Sequence, residues 1–573
     1  MSVSTIEMHR RRLALMAILL TIFGLVLCAR LVQWQVVQYQ DLRDKAEELH
    51  SVREVIPALR GTIYDRNGRI LALTMHDEEA VGDPIHFKIQ TAKKQEAIVA
   101  AAAPILNMPA DEISKALSGG TGHYVRLKAS VPVTVNQALK DSDAYPSIAA
   151  MPKQTRFYPA RALLAQTLGF VNSSNEGIGI EGSYNQYLKG TPGQRLVEGQ
   201  TYGQGLSKIP VITPPQNGSS VTLTLDMNIQ YKAERELENA LYNERTTTGT
   251  VVILNPKTGE ILALAGRPTF DPNNYDSVAN STWNNPVVSD AWEPGSIFKI
   301  LTFAAALDAG RIITTTKFND RGTMRYRGIL ISNRDNKAYG TISPAQALQY
   351  SSNVAAVQVA AVLSTTSFYT YMHTAFGIGE KTEVDLPGEV AGQLRLPGDP
   401  LWHISDLAAQ SYGQGLSATP IQMAAAVAAV ANKGIMMRPY VVARVAGASE
   451  TTGGPGPLRR SIKSDTAAIM TDWLVSVVET TVTQARVPGY HLAGKTGTAL
   501  IPPPMGTYDP DETIASFVGY GPAEDPQFVI LVRIDRPKVH ETGAEVAAPV
   551  FKNIAQWLLT YMKIPPNSQQ AQR

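Results

Sequence analysis

The sequence predicts a multidomain α+β protein with an N-terminal membrane helix. Three observations carry that reading. An uncharged, mainly apolar run from Leu13 to Ala29 follows Arg10-Arg11-Arg12. Pro214-Pro215-Gln216-Asn217-Gly218 punctuates the chain near its first third. After it, short β-like runs at both ends of the second half enclose long Ala-rich helical stretches. The 573 residues suffice for several domains. With 44% hydrophobic and 18% charged residues the chain is globular, and a net charge of +2 implies no nucleic-acid partner.

The apolar run is about 17 residues, the lower limit for a spanning helix. Three arginines before it favour a cytoplasmic N-terminus. Leu27 stands where a lipoprotein or signal-peptidase site needs a small residue, so an uncleaved anchor is expected. The lone cysteine, Cys28, lies in this run, and the thiol-free remainder suits an extracytoplasmic domain. The expected organisation is a tail over 1–12, an anchor over 13–29, a helical stalk over 30–50, a non-catalytic module over 51–215, a catalytic domain over 216–564 and a disordered tail over 565–573.

In the middle module, Arg60 to Ala72 reads as a hairpin about an Asn67-Gly68 turn. Residues 92–118 read as helical, and a further helix runs from about Val135 to Lys140. The glycines at 177, 179 and 182 lack the strand, helix and acidic partner of a dinucleotide site. No nucleophile and base occur together in this module.

The second half opens with a strand from Val221 and a helix from about Asn228 to Asn243. Two apolar strands follow about Asn255 to Gly259. Ser343-Pro344 and Thr419-Pro420 are N-cap and N1 pairs that start helices. A helix from about Asp465 to Glu479 precedes a β region: Leu492 to Ala499, Thr513 to Tyr520 and Phe528 to Ile534. A closing helix spans about Ala548 to Met562. This predicts an antiparallel sheet with the first and last helices packed on it, and an inner all-helical subdomain. The stretch Tyr412-Gly413-Gln414-Gly415-Leu416-Ser417 repeats Tyr202 to Ser207, without a fixed period.

The chemistry centres on Glu293-Pro294-Gly295-Ser296-Ile297-Phe298-Lys299, which opens an apolar helix ended by Gly310. Ser296 at the first turn has Lys299 one turn along on the same face. A serine needs a base within hydrogen-bond reach, and such a lysine can be one. Free backbone N–H groups at the turn suit an oxyanion. A lysine neutral near pH 7 has a pKa lowered by roughly 3 units, about 4 kcal/mol. Burial and a second nearby cation supply that shift, so another lysine must approach. S-x-x-K alone is common and also reads as a plain helix cap.

Two further signals follow in order: Ser351-Ser352-Asn353, then Lys495-Thr496-Gly497, followed by Thr498. The ordered triple marks the penicillin-binding proteins and related β-lactamases. The whole chain resembles a class B penicillin-binding protein, a membrane-anchored peptidoglycan D,D-transpeptidase. Arg60-Gly61 with Asp65-Arg66-Asn67-Gly68, Arg156-x-Tyr158-Pro159, and Gly177-x-Gly179-x-Glu181-Gly182 resemble the three pedestal motifs of that class.

The resemblance implies a pedestal (dimerisation-type) domain followed by a penicillin-binding transpeptidase domain. Its catalytic residues would be Ser296, Lys299, Ser351, Asn353 and Lys495. Thr496, Gly497 and Thr498 would bind substrate. The substrate would be stem peptides ending in D-Ala-D-Ala, with β-lactams as inhibitors. The Pro387-Gly388-Glu389 run and the Gly413 to Pro420 segment resemble septal, division-specific members; elongation-specific members share the triple. A SEDS-family glycosyltransferase and other divisome membrane proteins are the implied partners. The implied location is the bacterial cytoplasmic membrane, single-pass, with the catalytic domain outside. D,D-carboxypeptidases and β-lactamases use the same triple, but the long pedestal weighs against a hydrolase. Neither cofactor nor metal is implied, since the nine histidines are scattered.

Overall fold

A computed structural model describes residues 3–42, 51–172, 176–198, 211–448, 456–501 and 512–567. The first copy of the repeated hexapeptide, residues 43–50 of the expected stalk and 568–573 of the expected tail lie outside them. The chain forms two compact units.

The smaller unit comprises Met1–Leu59, His76–Gln154 and Gly190–Asn217. It begins with a helix over Val3–Val32, continued by a π-helical turn over Gln33–Val37. Glu7–Val37 is long and apolar enough to cross a membrane. Strands Ser51–Ile56, Gly193–Glu198 and Val211–Thr213 form an antiparallel sheet. A separate core gathers Phe87, Ile98, Ala102, Leu106, Ile113, Leu117 and Leu139. The helix expected over 92–118 is two, Ala92–Leu106 and Ala110–Gly119. Asn107 takes the left-handed conformation (φ 48°), and Pro109 biases Met108 away from helix.

The larger unit comprises Arg60–Met75, Thr155–Lys189 and Gly218–Arg573. It therefore takes in two segments that the sequence reading places with the pedestal. Burial explains their attachment. Glu181 is fully buried between Arg60 and Arg156, each Nε at 2.6 Å from a different carboxylate oxygen. The hairpin Ile63–Tyr64 with Ile70 and Ala72 forms as expected, and Ile63–Tyr64 also pairs in parallel with Val221–Leu223. Buried Asp65 accepts N–H bonds from Asn67 and Arg69, closing the turn, and a third from Met227.

Met227–Asn243 is helix α1, capped by Asp226, whose carboxylate accepts the N–H groups of Asn228 and Ile229. Strands β1 (Gly249–Leu254) and β2 (Ile261–Arg267) form the predicted hairpin. Helix α2 spans Lys299–Asp308, and α3 spans Asn353–Leu363. Helix α4 (Pro420–Ala431) is buried at every residue and starts at a capping box of Thr419 and Gln422. Helix α5 spans Ser464–Thr480. Strands β3 (Ala493–Leu500), β4 (Thr513–Gly521) and β5 (Phe528–Asp535) and helix α6 (Ala547–Tyr561) complete the unit.

The sheet is antiparallel throughout, in the order β2-β1-β5-β4-β3, with β3 at its edge. Strands β1, β2, β4 and β5 are buried at every residue, so both faces are covered. α1 and α6 pack against each other and the sheet, and α4 packs on β1, β4 and β5. The inner subdomain departs from the all-helical expectation. Two antiparallel ribbons lie between α2 and the helix Pro344–Gln349: Phe318–Asp320 with Gly340–Ile342, and Thr323–Tyr326 with Ile329–Ser332. Gly322 (φ +81°) and Gly328 (φ +92°) supply their turns.

Candidate active site

Ser296 lies in a single 3₁₀ turn, Gly295–Phe298, that runs into α2. From Trp292 to Ile300 every residue is buried except Ser296, which is partly exposed. The turn is held from behind by the second copy of the repeated hexapeptide. Gly295 N–H donates to Gly413 O (3.0 Å), and Gly415 N–H donates to Glu293 Oε1 (3.0 Å). Gly413 (φ +83°) approaches so closely that a Cβ there would stand 2.2 Å from Gly295 O. The glycines of this stretch thus have a packing reason that the sequence did not disclose.

Lys299 is fully buried. Its Nζ donates to Ser351 O (2.5 Å) and Asn353 Oδ1 (2.7 Å), with Ser351 Oγ at 3.3 Å. Burial pushes its pKa well below the ordinary lysine value; the charge of Lys495 adds to this, and Asp320 opposes it. Lys495, on β3, is 1% exposed, and burial lowers its pKa to about 7. A neutral amine has two hydrogens. The carbonyl oxygens of Ser351 and Asn353 take both, which leaves the lone pair free to accept a hydroxyl proton.

The Ser351–Asn353 loop rests on a polar bracket. Ser351 has φ +56°. Ser352 caps α3, accepting from Ala355 N–H (2.9 Å), while its own hydroxyl donates to Asp320 Oδ2 (2.5 Å). Asn333 Nδ2 donates to both Asp320 oxygens (2.9 Å each), and Asn333 Oδ1 accepts from Asn353 N–H (2.9 Å). Asn353 Nδ2 donates to Ser332 O (2.9 Å), which turns its Oδ1 toward Lys299. Asp320 and Asn333 are 0% and 3% exposed. The sequence reading missed both. They are 13 residues apart, Asp320 at the end of one ribbon strand and Asn333 just past another, and no local pattern ties them to Ser351.

Strand β3 crosses the Ser296 turn at van der Waals distance. A Cβ on Gly497 would lie 3.0 Å from Pro294 O, and one on Gly295 would lie 3.4 Å from Thr498 O. Thr496 and Thr498 are partly exposed, alternating with buried Lys495, Gly497 and Ala499. Lys495 Nζ lies 3.2 Å from Thr496 O. Thr498 Oγ1 accepts from Gly543 N–H (3.2 Å), and Gly543 itself has no room for a side chain against Ser516 O and Gly497 O. Gly543 is another position without a sequence signal. All eight singled-out residues thus sit in one small region, with Lys299, Ser351 and Asn353 in direct hydrogen-bond contact.

A partly exposed serine backed by a buried amine, beside an edge strand able to pair with a peptide, defines an acyl-transfer fold of the active-site-serine type. The family comparisons are specific. The penicillin-binding protein transpeptidase domain model matches residues 249–556, and the penicillin-binding protein dimerisation domain model matches residues 55–223. The chain belongs to the penicillin-binding proteins that join these two domains. It is similar to stage V sporulation protein D of Bacillus subtilis, 32% identical over 100% of this chain and 89% of the relative. It is also similar to the peptidoglycan D,D-transpeptidase FtsI of Escherichia coli K12, 30% identical over 94% of this chain and 90% of the relative. Among solved structures, penicillin-binding protein 3 of Mycobacterium tuberculosis complexed with aztreonam superposes with a TM-score of 0.69 at 27% identity, covering 90% of this chain and 98% of that one.

Proposed function

We propose that this chain is a membrane-anchored peptidoglycan D,D-transpeptidase acting at the division septum and inhibited by β-lactams. The observation that carries the reading is the pair of short bonds from Lys299 Nζ to Ser351 O and Asn353 Oδ1, in a pocket that disfavours a charged amine. Lys299 takes the proton of Ser296 as its oxygen attacks the D-Ala-D-Ala carbonyl. The N–H groups of Ser296 and Thr498 hold the oxyanion. The C–N bond breaks, Ser351 relays a proton to the leaving D-alanine amine, and the acyl group stays on Ser296 as an ester. A second stem-peptide amine then attacks the ester, and the proton returns to Ser296. Burial, aided by the charge of Lys495, keeps Lys299 neutral, and Thr496 and Thr498 bind the terminal carboxylate. Gly497 lets the strand approach the serine turn. Asn353 orients Lys299.

The septal assignment rests on the names of the relatives, FtsI and stage V sporulation protein D. The N-terminal helix would be a single span with residues 1–12 in the cytoplasm, and the pedestal and catalytic domain would lie outside the membrane. A SEDS-family glycosyltransferase and other divisome membrane proteins would contact the helix and pedestal. Incubation of the full chain with a stem pentapeptide and an acceptor amine tests the reaction. Cross-linked product with release of D-alanine is expected. Free acid alone would replace the transferase with a hydrolase.

A further inference from the structure

Arg334 and Glu541 meet from opposite sides of the cleft. Arg334 follows Asn333, whose side chain accepts the N–H groups of Asn353 and Val354. Glu541 precedes Gly543, whose N–H is bonded to Thr498, and its own carbonyl accepts the hydroxyl of Thr513 (3.4 Å). The segment before Arg334 is thus tied to the Ser351–Asn353 loop, and the segment around Glu541 to β4 through Thr513 and to β3 through Gly543. Between them Arg334 Nη2 stands 3.5 Å from Glu541 Oε2, with the two side chains 50% and 68% exposed. The pair thus joins the segment that holds the Ser351–Asn353 loop to the segment bonded to Thr498 on β3.

The other charges nearby are matched within their own lip. Lys337 pairs with Asp335, while Arg536 and Lys538 both pair with Glu512. Glu545 accepts the Thr542 hydroxyl. Arg334 alone among these cations is matched across the cleft. An exposed pair of this kind contributes only about 0–1 kcal/mol, so another carboxylate can replace Glu541 at little cost. A guanidinium also favours a carboxylate through two parallel N–H bonds.

We propose that Arg334 binds a side-chain carboxylate of the donor stem peptide, distinct from the terminal carboxylate at Thr496 and Thr498, and that Glu541 occupies its place in the free enzyme. The assignment rests on the transpeptidase reading above. It makes Arg334 a specificity determinant and Glu541 its internal competitor.

The test uses the full chain and two stem-peptide thioester analogues. They differ only in whether the residue before the D-alanyl thioester carries a carboxylate or its amide. Thiol release gives kcat/KM for each. The wild type should prefer the carboxylate by about fivefold. Arg334→Gln should bring the ratio to about one, Arg334→Lys should retain part of it, and Glu541→Gln should raise it. The preference should shrink at high salt. A ratio unchanged in Arg334→Gln, with or without an equal loss on both analogues, would overturn the assignment while leaving the enzyme intact. Turnover of neither analogue by the wild type would overturn the transpeptidase reading and this assignment with it.

Discussion

The carboxylate of Asp320 lies 2.5 Å from the hydroxyl of Ser352 and accepts from the Asn333 amide through both oxygens, while Lys337 O takes a further bond from that amide. Neither partner touches the nucleophile, yet together they fix the loop that supplies Lys299 with two of its acceptors.

Replacing Asp320 with Ala should therefore act through Lys299. Ser352 Oγ and Asn333 Nδ2 lose buried acceptors, about 2–4 kcal/mol of stability in all. Acylation by a labelled penicillin should fall by about tenfold or more, with a changed pH profile, as Asn353 Oδ1 is released from its position. Denaturant unfolding and stopped-flow acylation check the two parts separately.

The two lysines give a pH prediction with a definite sign. Burial, with the like charge of Lys495 added, lowers the Lys299 pKa, so the acid limb of the acylation rate should lie well below the ordinary lysine range. Lys495→Ala removes that like charge. The acid limb should move to higher pH, in addition to a lower plateau, as seen in rate profiles from pH 5 to 10.

Lys495 also makes a stability prediction. Its folded pKa, about 7, is below the unfolded value, so the unfolded state binds more protons between the two. Stability relative to Lys495→Met should rise with pH across that window, by roughly 1 kcal/mol per pH unit. Below the folded pKa the difference should level off. Urea unfolding of both proteins at several pH values measures it.

Glu181→Gln tests the buried ion cluster of the larger unit. Two arginines would lose their shared countercharge, and a cost of about 3–5 kcal/mol follows. Penicillin acylation per folded molecule should be unaffected, because the cluster does not touch the Ser296 region.

Gly413→Ala should affect the opposite quantity most. Its Cβ would collide with Gly295 O at a positive φ, and the Ser296 turn would have to shift. Acylation should drop by about tenfold or more for a stability loss of about 1–3 kcal/mol.

Much of this was legible from local chemistry. Ser343-Pro344 and Thr419-Pro420 announce their helices because capping is a contact within four residues. The requirement for a second amine near Lys299 followed from the pKa of lysine, and the field of Lys495 acts on Lys299 in that sense. What escaped the sequence depends on distant approach. Asp320 and Asn333 meet Ser352 and Asn353 only after the ribbons fold over α3. Gly413 and Gly543 are dictated by backbones more than 40 residues away, Gly295 and Gly497. The attachment of Arg60 to Glu181 across 121 residues likewise has no local signature.

The central claim is that the hydroxyl at 296 is the nucleophile, activated by the amine at 299. Labelling the full chain with a fluorescent penicillin, followed by mass mapping of the adduct in wild type, Ser296→Ala and Lys299→Ala, tests it most directly. The account predicts one ester on Ser296 in the wild type, none in Ser296→Ala, and acylation slowed by orders of magnitude in Lys299→Ala. An adduct on another residue, or near-normal acylation in either variant, would contradict it.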